Sequence, residues 1–391
     1  MIVIADDITG AAEIAGIAFT HGADVRLACG SACCRATATV GTTVIATDTR
    51  SLSEAEAVAE TRRIASSLAN PDSSLFTLHS SLFTLHSSLF TLHSSLFKKS
   101  DSALRGHVIA ELQALMEATG SPRCVYLPAN PSKGRIIRNG VYYINNVPIH
   151  ETDFSFDPEF PAKTAVLRER FPDAEAVGII MPDAESEQDI RQVVQQYDDG
   201  KTIFAGAADL FSAMLSRSVD AVRPAAISEP STDLCDLWDL CDSGLSTLIL
   251  CGSTQSKVPN IGIPVSPMPR AVYDGSDRLD LWDTSAYARQ HSLILTVPHT
   301  HRTGKAVAVH LRCMMAAIAQ RLVSEHRPDH LIIEGGATAW ATLQALNWTE
   351  FQIKRQLAPG VVQMSATNGT LVTLKPGSYP WPRVNPCQSE A

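Results

Sequence analysis

The sequence predicts an α/β protein of two domains, each a largely parallel sheet flanked by helices. Three observations carry this. Short apolar runs that read as strands alternate with stretches of helical period, the pattern of βαβ units. Polar and glycine-rich turns follow the strand ends, where open α/β sheets bind ligands. The chain has 391 residues, more than the roughly 250–300 at which a single core stops growing.

The strand Ile2 to Ala5 opens the chain, and a helix follows through Ala11 to Ala18. Further strands are expected at Asp24 to Ala28 and Thr43 to Thr47, then a helix over Glu54 to Leu68 capped by Ser53. Next, Ser-Ser-Leu-Phe-Thr-Leu-His occurs three times between Ser73 and His93, and a fourth copy starts at Ser94. Three short, uncharged copies cannot specify a coiled coil, so the extra copies read as a surface insertion, with only the last, running into Lys98, forming a core strand. Histidines 79, 86 and 93 read as repeated side chains rather than ligands. Val108 to Thr119 is expected as a helix and Cys124 to Leu127 as a strand, before a Pro-, Gly- and Asn-rich stretch to Pro161. A βα unit (176–195) and a strand at Lys201 to Phe204 complete a first domain, 1–225. A linker lies within about 215–243. The second domain, 240–391, holds strands at Thr247 to Leu250, Leu331 to Ile333 and Thr370 to Leu374. Helices are expected at about 304–325 and 338–346.

Composition narrows the function. Hydrophobic residues make up 45% and charged residues 19%, with 32 Lys and Arg against 41 Asp and Glu, net −9. That balance disfavours nucleic acid and anionic membranes as partners. Nine cysteines at irregular spacing suit free thiols in a reducing compartment. Neither a signal peptide nor an apolar run near 18 residues is apparent, so the expected location is cytoplasmic.

Chemistry concentrates at a few turns. Asp6-Asp7-Ile8-Thr9-Gly10 follows the first strand: a carboxylate there can accept a substrate hydroxyl or act as general base, although helix capping also explains one Asp. Lys98 to Gly106 packs cations, an acid and hydroxyls into one strand-to-helix turn able to clamp a carboxylate or phosphoryl group. Arg50 stands at the same sheet edge. In the second half, Gly252-Ser253, Glu334-Gly335-Gly336-Ala337-Thr338 and Gly377-Ser378 are turns where glycine lets phosphate approach backbone N–H groups. No Walker-type loop or G-x-G-x-x-G is present. His299 and His301 lack a third metal ligand.

Together, Ala5 to Gly10, Thr47 to Ser51, Lys98 to Gly106, Pro128-Ala129-Asn130-Pro131 with Gly134-Arg135 and Asn139-Gly140, and His150 to Pro158 resemble the four-carbon acid sugar kinase family over nearly the whole chain. The resemblance implies an amino-terminal sugar-acid domain and a carboxy-terminal ATP domain, with the active site in the cleft between them. It also implies γ-phosphoryl transfer to a hydroxyl of a tetronate or 3-oxo-tetronate, with Mg²⁺ arriving on ATP. By this likeness Asp7, Arg50, Lys99, Ser100, Asp101 and Ser102 bind the sugar acid. Asp7 or Asp6 orients or deprotonates the acceptor hydroxyl, and Lys99 and Arg105 balance charge. Ser253, Ser256, Gly335, Gly336, Ala337, Thr338 and Gly377 meet the nucleotide, and no metal ligand is assigned. Partners are then the sugar acid and ATP, with room for a homo-oligomer. The chain departs from the family pattern at Ala337, where an acidic residue is usual, at Gly252 to Ser256, and at Pro376 to Pro380. A family member that binds its ligand without transferring phosphate is the alternative. A dehydrogenase or aldolase acting on sugar acids is a more distant one.

Overall fold

The computed structural model describes residues 1–30, 41–69, 96–157, 159–219, 244–253, 257–298, 304–377 and 381. The three repeat histidines, His299, His301 and Ser256 therefore lie outside the described residues. Two compact units are present, Met1–Ile227 and Ser228–Ala391.

The first unit contains β1 (Ile2–Ala5), α1 (Ile8–Thr20), β2 (Val25–Cys29), β3 (Thr42–Ala46), α2 (Glu54–Ala69), β4 (Leu96–Lys99), α3 (Val108–Thr119) and β5 (Arg123–Leu127). An antiparallel ribbon β6 (Arg135–Arg138), β7 (Val141–Ile144) and β8 (Val147–Pro148) follows, then α4 (Leu167–Arg170), β9 (Ile179–Ile180), α5 (Glu187–Tyr197), β10 (Thr202–Gly206) and α6 (Ala208–Val219). The sheet order is β2-β3-β1-β4-β10-β5-β9, with every neighbouring pair parallel. Val3, Ile4, Val44, Leu96, Phe97 and Val125 are fully buried, as strands covered on both faces require.

Register decides what meets at the sheet edge. Ala5 is level with Ala46 and with Lys99, so the segments beginning at Asp6, Thr47 and Ser100 emerge side by side. The connection from β1 runs to β2 on one side of the sheet, and the connection from its neighbour β3 runs past β1 to β4 on the other. That topological switch opens a crevice at the carboxyl ends of the strands.

The second unit contains β11 (Thr247–Cys251), β12 (Val265–Pro267), α7 (Arg270–Tyr273), α8 (Ser285–Gln290), β13 (Ser292–Thr296), α9 (Lys305–His326), β14 (His330–Glu334), α10 (Gly336–Ala345), β15 (Glu350–Ala358), β16 (Val361–Ala366) and β17 (Leu371–Lys375). Its order is β12-β13-β11-β14-β17-β16-β15: the first five strands are parallel, and β16 and β15 run antiparallel to their neighbours. Cys251, Glu334 and Lys375 are level, which aligns the three glycine turns that follow them.

One helix bears on the expectation that no apolar run spans a membrane. By length and composition α9 could cross a membrane, with a mean hydropathy of 1.4 over 18 residues. It packs against α10, and Met315, Ala316, Ile318, Ala319 and Leu322 are buried. Only 28% of that 18-residue window is buried, and a single helix of this kind is weak evidence for a span. Among the described residues Cys124, Cys251 and Cys313 are free thiols, as expected.

Candidate functional site

In the first unit the expected residues converge. Asp7 caps α1: its Oδ1 accepts from the Gly10 N–H at 2.8 Å, and its Oδ2 accepts from the Thr9 hydroxyl and from Arg50 Nη1 at 3.2 Å. A side chain at position 10 would stand 2.7 Å from Asp7 Oδ1 and 3.2 Å from Lys99 Nζ, so a larger residue there would have to displace the capping carboxylate. Asp6 accepts Arg50 Nε at 3.1 Å and Nη2 at 2.9 Å, both on Oδ2. Its Oδ1 is buried with no hydrogen-bond partner among the described residues. Capping and site geometry are thus one arrangement.

The two carboxylates part in acidity. Burial pushes the Asp6 carboxyl up, and Arg50 offsets this only partly. Burial also opposes ionisation of Asp7, but Arg50 and Lys99, with hydrogen bonds from Thr9 and Gly10, hold it below the usual range. Asp7 is the more accessible, with its side chain 16% exposed against 3% for Asp6.

The turn from Ser100 to Gly106 adds the opposite wall. Asp101 accepts Arg105 Nε at 2.7 Å and Nη2 at 3.1 Å, and lies 3.8 Å from Arg50 Nη2. Burial resists its charge, yet Arg50 and Arg105 hold the carboxyl well below the usual range. The backbone is strained in both turns: Leu104 has φ 63 and Asp48, just before Arg50, φ 55. Such conformations gather at functional sites because surrounding contacts over-determine them. Lys99 pairs with Glu13 at 3.6 Å and donates to the Ser100 carbonyl at 2.9 Å.

Several contributors went unassigned in the sequence. Glu13, a lone charge on an otherwise apolar α1, also takes Lys133. Glu111 is 2% exposed and accepts Lys98 at 2.6 Å, Thr49 at 2.9 Å and Thr61 at 3.1 Å, tying the Arg50 turn to two helices. The ribbon and the segment after it bring Arg135, Tyr142, Phe154 and Asp157 to the same turn. Arg135 donates to Ser102, Tyr142 to the Ser102 carbonyl, and Asp157 lies 3.7 Å from Arg105.

In the second unit the three glycine turns close on one another. The Gly252 N–H donates to the Glu334 carbonyl at 3.3 Å, the Gly335 N–H to the Lys375 carbonyl at 2.9 Å, and the Ser253 hydroxyl to the Gly377 carbonyl at 3.2 Å. A Cβ at Gly252 would fall 1.9 Å from Thr338 Oγ1, and one at Gly377 would fall 2.7 Å from Ser253 Oγ. Gly335, φ 94, precedes α10, so Gly336, Ala337 and Thr338 form that helix's first turn, where unpaired N–H groups favour phosphate. Beneath them Lys375 donates to Glu334 at 2.7 Å, both side chains 1% exposed. A separate concavity of about 810 Å³, lined in part by Leu245, Trp348 and Leu371, opens at the other end of these strands and belongs to no part of this site.

A sugar-binding N-terminal domain family matches residues 1–176, and a nucleotide-binding C-terminal domain family matches residues 283–379. The chain is 30% identical over 146 residues to a Salmonella typhimurium D-threonate kinase, a match spanning 30% of this chain and 34% of that protein. It is 24% identical to a Brucella melitensis 3-oxo-tetronate kinase across 96% of this chain and 92% of the relative. A solved Haemophilus influenzae protein shares the fold with a TM-score of 0.62 at 19% identity, over 96% of each chain. The two domain matches, in order along one chain, and the kinase relatives converge on one conclusion: the chain belongs to the four-carbon acid sugar kinase family.

Proposed function

We propose that the protein transfers the γ-phosphoryl group of ATP to a hydroxyl of a four-carbon sugar acid, a tetronate or 3-oxo-tetronate. The observation that carries this reading is the pair Asp6 and Asp7, joined by Arg50 at a sheet-edge crevice and driven apart in acidity. Both relatives named above are kinases of such acids.

Access decides the roles of the two acids. Asp6 Oδ1 is unpartnered but buried, so Asp6 anchors Arg50. Asp7 has the exposure to receive the acceptor hydroxyl, and geometry takes precedence over basicity in choosing a base. Staying ionised is no handicap: phosphoryl transfer relies on positioning and electrostatics, with the hydroxyl proton leaving to the carboxylate as the new bond forms. Lys99 pairs with Glu13 of α1, and Arg105 holds Asp101 of the opposite wall. In the second unit Ser253, the Gly335 to Thr338 turn and Gly377 would hold the nucleotide phosphates. Mg²⁺ would arrive with ATP, held largely by phosphate oxygens and water. Bound there, Mg²⁺ would neutralise phosphate charge.

The test is ADP release across a panel of tetronates and 3-oxo-tetronates. Asparagine caps helices as well as aspartate does, so Asp7→Asn should fold normally and lose roughly 10²- to 10⁴-fold in kcat. Turnover near wild type in that variant defeats the role given to Asp7. Binding of an acid without ADP release from the wild type favours a non-transferring protein.

A further inference from the structure

The cations around the first-unit crevice are nearly all committed. Arg50 holds Asp6 and Asp7, Lys98 holds Glu111, Lys99 and Lys133 share Glu13, and Arg105 holds Asp101 and Asp157. Two guanidinium groups lack a carboxylate partner among the described residues. Arg170 donates to the carbonyls of Leu104, 2.9 Å, and Pro161, 3.4 Å, and so braces the backbone. Arg135 is different. One Nη donates to the Ser102 hydroxyl, its guanidinium carbon lies 5.9 Å from the centre of the Phe154 ring, and it is half-buried.

We propose that Arg135 is the residue that pairs with the substrate's carboxylate, with the Ser102 hydroxyl beside it. The inference rests on the sugar-acid reading above and adds to it the anchor that separates acids from neutral sugars. An aromatic ring under the guanidinium and a hydroxyl at its edge fix the fork while leaving N–H donors for a planar anion, the geometry arginine matches bidentately. The mount is rigid. Arg135 and Asn130 exchange backbone hydrogen bonds of 2.7 and 3.1 Å, and Asn130 Oδ1 accepts the Asp209 N–H at 3.0 Å. Arg50 and Arg105, by contrast, would have to leave buried carboxylates to serve an anion, which is costly.

The experiment measures binding of a four-carbon aldonate, of the corresponding tetritol, in which the carboxylate is reduced to an alcohol, and of ADP, each alone. It uses wild type, Arg135→Met, Arg135→Lys and Ser102→Ala. Arg135→Met should weaken the aldonate about 10- to 100-fold and leave the tetritol and ADP unchanged. Arg135→Lys should recover part of the loss, since it keeps the charge and loses the fork. In turnover the defect should fall on KM for the acid rather than on kcat. Aldonate affinity within threefold of wild type in Arg135→Met, or an equal loss for aldonate and tetritol, overturns the proposal while leaving the kinase reading intact. Absence of aldonate binding by the wild type overturns both.

Discussion

Replacing Glu111 by alanine should destabilise the first unit more than any surface substitution on the same helix. The change leaves the Lys98 ammonium, 3% exposed, without its 2.6 Å partner and removes the acceptor for the Thr49 and Thr61 hydroxyls. Breaking a buried pair by deleting one member costs about 3–5 kcal/mol, because the survivor's desolvation is no longer offset. For a unit the size of Met1–Ile227, each kcal/mol moves the melting point by about 2–4 °C. A fall of about 6–20 °C in its calorimetric transition follows. Glu117, on the same helix, pairs with Arg62 at 2.9 Å in solvent, so Glu117→Ala should leave the transition where it was. The double variant Lys98→Met/Glu111→Leu should recover most of the loss, since apolar replacement of both partners removes the stranded charge. Acid affinity should fall in Glu111→Ala even where it is folded, because Thr49 anchors the turn bearing Arg50. A Glu111→Ala transition within about 2 °C of wild type, or a double variant no better than the single, refutes the reasoning.

Two further outcomes concern the second unit. His330 is buried against Thr373, and burial lowers its pKa from 6.5 to about 4. Because the folded value lies below the unfolded one, the neutral ring contributes stability fully present above pH 6.5 and lost as pH falls toward 4. The loss is roughly 3 kcal/mol in all. His330→Gln should flatten that slope in melting curves taken from pH 8 to 4, and an unchanged slope counts against it. Gly252→Ala would drive a methyl group to 1.9 Å from Thr338 Oγ1. It should abolish ADP binding in calorimetric titration while leaving aldonate binding to the first unit intact, and full ADP affinity would show that the turns are not where phosphate sits.

Much of this was legible because it is local. Apolar runs such as Ile2–Ala5 and Thr247–Cys251 mark parallel strands, and the polar turns after them mark the site. The ribbon of Arg135–Ile144 was not anticipated, though Asn139-Gly140, with φ 51 and 73, is the turn signal that predicts it. The hairpin of Glu350–Ala358 and Val361–Ala366 was hidden because register shifts at Ile353/Arg355 and Gln356/Ala358 break the alternation by which strands are recognised. Glu111 and Glu13 were invisible for another reason. Lys98 is 13 residues from Glu111, but Thr61, Thr49 and, for Glu13, Lys133 lie 50, 62 and 120 residues away, and no local period encodes such pairings.

The aspartate pair shows why a structural and a functional reading of one motif need not compete. Asp7 caps α1, and that demand alone fixes its carboxylate at the strand end, close against Gly10. The same contacts, with Arg50 and Lys99, keep it ionised. Helix capping thereby supplies an anion held at one place and in one protonation state, which is what an acceptor hydroxyl requires of its partner. Asp6 then makes the arrangement rigid: with Oδ2 spent on Arg50, it pins the guanidinium between two acids. A substitution that preserved the cap but not the charge therefore separates the two demands, since asparagine at position 7 meets the first and fails the second.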